Sequence, residues 1–120
     1  MVEITDEYMD RRLKLAKQYC TVLLKAGPNY QPPNVRSPEQ AAIVREHGRR
    51  NMKLRAEGKM LLVGPIGGGL PIVGLCILSV SEAETRELME GDGAVQAGIL
   101  TYHLVTLHGF PGDGLPATGI

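Results

Sequence analysis

"KMLLVGPIGGGLPIVGLCILSV", residues 59–80, decides the fold. Two apolar runs, "KMLLVGP" (59–65) and "PIVGLCILSV" (71–80), flank the glycine-rich connection "IGGGL". Aliphatic and β-branched runs separated in this way read as the two strands of a hairpin. On its N-terminal side "SPEQ" (37–40) supplies Ser37 as N-cap, Pro38 at the first helical position and Gln40 to complete a capping box, opening a helix that Gly58 stops. On its C-terminal side Ser81 with Glu84 forms a second capping box, and the helix "EAETRELME" runs to Gly91. Before the first helix lies the β-branched run "YCTVLLK" (19–25), broken by "AGPNYQPPN"; after the second comes a short "DGAVQAG" segment and the run "ILTYHLVTLHG" (99–109).

The order is therefore βαββαβ, the split βαβ arrangement of an α+β, ferredoxin-like domain: a four-stranded antiparallel sheet with two helices on one face. An extra helix precedes it, "TDEYMDRRLKLAKQ", with Thr5 as N-cap, Asp6 and Glu7 in its first turn, and Lys14 and Lys17 at its end. The chain divides into a helical extension (1–17), the ferredoxin-like domain (18–109) and a flexible tail, "FPGDGLPATGI" (110–120). Residues 72–80 are apolar on both alternating sets, Ile72, Cys76, Leu78 and Val80 against Val73, Leu75 and Ile77. That pattern demands cover on both sheet faces. A short leading helix cannot cover four strands, so the expected partner is a second copy, packed sheet to sheet about a two-fold axis. A solution species of only 13.0 kDa would contradict this.

Composition sets the function classes. A chain of 120 residues holds one core and removes about two-thirds of its unfolded surface from water. Thirteen basic and thirteen acidic side chains cancel, and one Phe with no Trp offers no stacking platform, so nucleic acid is not an expected partner. The apolar run 70–80 falls far short of the ~20 residues of a membrane span. The N-terminus lacks the apolar block of a secretion signal, which makes the cytoplasm the default. Cys20 and Cys76 lie within apolar runs and lack the clustered spacing of zinc or disulfide frameworks, so both read as reduced core residues.

Among candidate chemistries, the glycine-rich loop fails as a phosphate cradle: no Lys-Ser/Thr follows, the G-x-G-x-x-G spacing is absent, and a strand comes next. His47 is a better candidate. At about 100° per residue, with Ile43 at zero, His47 falls at about 40° and Val44 at about 100°, inside the apolar sector, while Glu46, Arg49 and Lys53 take the opposite face. A Glu46–Arg50 pair is expected on that face. Imidazole works as acid or base near neutrality, and a carboxylate that fixes its tautomer would complete the pair. Asp92, just beyond the second helix, can reach it, because the two helices lie side by side. An inward histidine also serves as a core residue bonded to backbone, and "GDG" is by itself a good turn, so both readings stand at this point. His103 reads as interface packing and His108 as a strand-end residue. Three scattered histidines without a ligand-spaced carboxylate make no metal site.

"LLKAGPN", "EHGRRNMKLRAEGKMLLVGP", "SEAETRELMEGDGAVQAGIL" and "TYHLVTLHG" together resemble the YCII-related family of small dimeric α+β barrel proteins, over about residues 18–109. The resemblance implies a sheet-to-sheet dimeric barrel with His47 and Asp92 as a catalytic His-Asp pair. Related barrels include isomerases, dehalogenating lyases and cofactor-free oxygenases acting on small molecules. The family's usual proline after the aspartate is replaced here by Gly93, which leaves the backbone freer. The expected function is a lyase or isomerase moving a proton on a small-molecule ligand with no cofactor, with Asn29, Gly64 and Pro65 at the pocket mouth by strand-end geometry. The alternative is a non-catalytic ligand-binding or accessory dimeric module.

Overall fold

The computed structural model describes residues 1–119. Helix α1 (Asp6–Leu13) precedes strand β1 (Lys17–Ala26), followed by a 3-10 turn (Pro33–Val35), helix α2 (Pro38–Ala56), strands β2 (Met60–Pro65) and β3 (Ile72–Leu78), helices α3 (Glu82–Glu90) and α4 (Gly93–Gln96), and strand β4 (Leu100–Gly109). The strands form one antiparallel sheet in the order β2-β3-β1-β4. Leaving α1 aside, this is the ferredoxin-like βαββαβ topology.

The caps act much as the sequence indicates, with informative exceptions. Thr5, Ser37 and Ser81 each accept a backbone N–H at their helix start. Gln40, however, does not reach back to the Ser37 amide, as a full capping box requires. Its Oε1 accepts from Gln31 N (2.8 Å), its Nε2 donates to Asn29 O (2.9 Å), and the Ser37 amide turns instead to Gln31 Oε1 (2.8 Å). The glutamine thereby pins the loop 29–37 to the start of α2. Helix α1 ends earlier than expected, at Leu13, and strand β1 begins at Lys17, inside the segment assigned to the extension. Helix α1 buries none of its residues and lends the sheet no cover.

The core is aliphatic and lies between the sheet and the helices. Val22, Leu24, Met60, Cys76, Leu78 and Leu100 from the sheet meet Leu54, Met89 and Ala94 from the helices and Ile99 just before β4. Met60 and Leu78, both fully buried, each contribute about 1.5–3 kcal/mol of transfer free energy.

Two register shifts adjust which side chains join the core. Between Met60 and Leu62 an extra residue, Leu61, is left without a partner, so Met60 and Val63 both face the helices while Leu62 faces away with Ile77. Between Leu24 and Lys25 the β1–β3 pairing skips Val73, which turns to the helix side, and Ile72 moves opposite Lys25 on the other face. The simple alternation read from 72–80 thus exchanges Ile72 and Val73. Beyond them it holds: Cys76 and Leu78 are buried, and Leu75 and Ile77 lie half-buried on the face away from the helices. Leu23, Val105 and Leu107 share that second face through their pairings.

The tail runs without helix or strand over 110–119 and is held at its start, where the Arg12 guanidinium lies 4.8 Å over the Phe110 ring and pairs with Asp113 at 2.5 Å. Ile120, the last residue of the expected flexible tail, lies outside the described residues.

The end of β1 is joined to the start of β4 through bare backbone. Gly27 N donates to Ile99 O (2.8 Å), and a Cβ placed on Gly27 would stand 2.3 Å from Gly98 O. Gly27→Ala therefore forces the two segments apart. It is expected to cost about 1–3 kcal/mol, seen as a melting midpoint several degrees lower by circular dichroism.

Candidate active site

His47 lies on the inner face of α2, on the wall of a cavity of about 400 Å³. The space opens between α2, the ends of β1 and β2, the starts of β3 and β4, and the loop 30–36. Its walls are chiefly apolar, from Leu24, Val44, Val63, Val73, Ile99 and Leu100. This volume is at the lower end of small-molecule sites.

Asp92 reaches the imidazole from behind. It is the N-cap of α4, with Oδ1 accepting from Ala94 N at 2.8 Å. Its Oδ2 accepts from His47 Nδ1 at 2.6 Å, and the Arg50 guanidinium stands 3.8 Å from the same oxygen. The carboxylate is 1% exposed. Burial alone would raise its pKa; the hydrogen bond and charge of His47, the Ala94 amide and Arg50 outweigh that, so the carboxyl titrates below its ordinary value. An ionised carboxylate can only accept, so His47 Nδ1 carries the proton. The opposite ring edge lies beside Asn51, a lining residue whose Nδ2 donates to Nε2 at 3.2 Å. Arg50 is itself fixed by donating to Leu88 O at 2.8 Å.

Of the residues singled out in the sequence, His47 and Asp92 meet, and Gly64 and Pro65 line the cavity. Asn29 does not. Its amide nitrogen donates to Ala97 O (2.9 Å) and its backbone N–H to Gly98 O (2.9 Å), so it ties the loop to the approach to β4. The expected Glu46–Arg50 pair is also replaced: Glu46 bonds Arg49, three residues on, and Arg50 turns inward to α3 and Asp92. Gly93 occupies the first position of α4, with open space where a Cβ would stand and Asp92 extended before it. The site of the missing proline is thus a position proline itself favours, and Asp92 is fixed by its own hydrogen bonds.

Asn51 and Arg36 were not singled out in the sequence. Asn51 follows His47 by four residues and so shares its face, a spacing signal present in the chain. Arg36 comes from the loop before α2 and carries no periodic signature. Cys76, beneath the site, is pushed up to about 12 by burial and then by the charge of Asp92, so its thiol stays protonated. Among the described residues no group of three His, Cys, Asp or Glu side chains gathers as a metal site. No helix among them is long and apolar enough to cross a membrane.

The fold and site define a ferredoxin-like α+β domain with a histidine–aspartate pair at an apolar cavity. The chain matches no family model, and no curated protein matches it. Among solved structures it is similar to one described as the crystal structure of methylated RPA0582 protein, at 14% identity over 94% of this chain and 98% of the other, with a TM-score of 0.41. A likeness at that level carries neither residues nor activity across.

Asp92→Asn keeps the shape of the side chain and removes its charge. It is expected to cost about 1.5–3 kcal/mol at neutral pH, the usual contribution of a hydrogen bond to a charged group. The folded carboxyl is depressed below its unfolded value of about 3.9, so its stabilisation is full above that value and is lost as pH falls through the folded pKa. Urea melts of wild type and Asp92→Asn should accordingly converge as pH falls below about 4. A gap that is constant down to the most acid pH would show that the ionised carboxylate contributes nothing.

Proposed function

We propose that the protein is a lyase or isomerase in which His47 moves a proton on a small molecule held in the cavity. One observation carries the reading: the 2.6 Å bond from His47 Nδ1 to a buried carboxylate, with the other ring edge at the wall of an apolar cavity. Asp92 holds the Nδ1–H tautomer and stabilises the imidazolium that forms when Nε2 accepts a proton. Nε2 is then the base, and the same group returns the proton to another atom of the ligand or to a leaving group. The reading calls for no cofactor. Descent from the YCII-related family is part of the proposal, resting on the quoted residues with His47 and Asp92 at the family's pair.

A second reading, a non-catalytic ligand-binding module, is favoured by Asn51, whose amide already occupies Nε2 at 3.2 Å. The two separate in heavy water. Small lactones and phenols incubated with the protein in D₂O should exchange a carbon-bound proton, followed by NMR, and His47→Ala should slow that exchange about 10²–10⁴-fold at a temperature where circular dichroism shows the variant folded. Ligands that bind wild type and His47→Ala equally, with no exchange by either, would establish the binding module.

The homodimer belongs to the same proposal. Leu23, Leu62, Leu75, Ile77, Val105 and Leu107 share one apolar sheet face, and of the described residues it is the tail segment 110–115 that borders Leu62, Ile77 and Leu107 there, across a shared cavity. A second copy seated there would complete a dimeric α+β barrel. Light scattering should give about twice the 13.0 kDa chain mass, and Leu75→Asp with Ile77→Lys should return it to the single-chain value. A wild type of single-chain mass at micromolar concentration would remove the dimer.

A further inference from the structure

Among the described residues the cavity is lined by one arginine, Arg36, that has no carboxylate partner. Arg36, half-buried in the loop before α2, lines it together with His47. Its Nε and Nη2 both donate to a single acceptor, Gln31 O, at 3.2 and 3.1 Å. This pair of hydrogen bonds holds the plane of the guanidinium, and the loop beneath is fixed in turn by Gln40 through Gln31 N and Asn29 O. The Tyr30 ring lies 5.7 Å from the guanidinium carbon and limits its movement on another side. Nη1 has no hydrogen-bond partner among the described residues, and no carboxylate among them lies within ion-pair distance of Arg36.

The remaining lining groups do not offset this charge. Asp92 is committed to His47 and Arg50 and does not line the cavity, so that pair contributes little net charge inside it. Apart from His47, the other lining side chains carry no charged group: Asn51 and Tyr30 are neutral, and the rest are apolar residues, prolines and glycines. A half-buried positive group in an open cleft with apolar walls favours an anion, because Coulomb attraction strengthens as a ligand displaces the water around the pair. Guanidinium favours planar oxyanions, and a carboxylate suits its N–H geometry.

We infer that the ligand of this cavity is a small carboxylic acid with a mainly apolar body, its carboxylate held by Arg36 and its body lying along the aliphatic walls toward His47. This deepens the proposed function and rests on the same site. Arg36 is a specificity-determining residue in this assignment: it anchors the end of the ligand remote from the proton transfer, so that the histidine meets a carbon of the body.

The test is calorimetric titration of the full chain with cyclohexanecarboxylate, benzoate and phenylacetate, each against its own carboxamide. In wild type the acids should bind roughly 10–100-fold more tightly than the amides, as a charge-assisted hydrogen bond predicts. Arg36→Gln should bring acid and amide to parity. Arg36→Lys, which keeps the charge and loses the planar donors, should retain part of the preference, and His47→Ala should retain it in full. Melting curves identify any variant that fails to fold, and in that event the Lys variant and the wild-type comparison decide. Equal binding of acid and amide by wild type, an acid preference that survives Arg36→Gln, one that disappears with His47→Ala instead, or no acid bound at millimolar concentration would each overturn the assignment. Acid preference without deuterium exchange defeats the proton-transfer reading alone. Exchange without acid preference defeats this one alone.

Discussion

A carboxylate buried to 1% exposure is the constraint around which the molecule is arranged. Removing such a charge from water costs several kcal/mol unless it is paired and fully hydrogen-bonded. Asp92 meets that cost with three groups of different origin: the imidazole of α2, a backbone amide at the start of α4 and, at longer range, the guanidinium of Arg50. Each fixes an element relative to the others. Arg50, by also bonding Leu88 O, brings the end of α3 into the same arrangement. The geometry that orients the imidazole is therefore the geometry that packs the helices against one another, and the site's rigidity comes with the fold.

The cavity follows from this arrangement. Helix α2 is held at its far side by the Asp92 cluster and at its start by the bonds from Gln31 N to Gln40 Oε1 and from Ser37 N to Gln31 Oε1, which set the loop carrying Tyr30 and Arg36 beside it. The space between is closed below by the sheet. Aliphatic walls give it affinity for apolar bodies, and the few polar groups along it, His47, Asn51 and Arg36, supply direction.

Much of this was legible in the sequence. The strand and helix order emerged from runs, caps and glycines, because each of those signals is local. The His47–Asp92 contact was accessible because the topology sets two helices side by side, and a face angle then selects the residue that points inward. What escaped were features fixed by competition between partners at a distance. Gln40 had a standard local partner in the Ser37 amide and left it for two groups of the preceding loop. Arg50 had Glu46 one turn away and turned to a buried carboxylate instead, since a pair sheltered from water outweighs one that is solvated. Asn29 carries a side chain suited to binding ligands, yet its hydrogen bonds are spent on the segment just before β4. The bulges at Leu61 and Val73 leave no trace in an unbroken apolar run, where either face accepts any residue.

The skipped pairing at Val73 ties the two sides of the sheet to each other. One extra residue lets Val73 serve as a wall of the cavity while Ile72 and Leu75, its neighbours along the same strand, belong to the opposite surface. Whatever presses on that outer surface therefore bears on the backbone that shapes the ligand space, with only a peptide unit between them. In this strand the two faces are the front and back of a single thin partition, and its thickness is one residue.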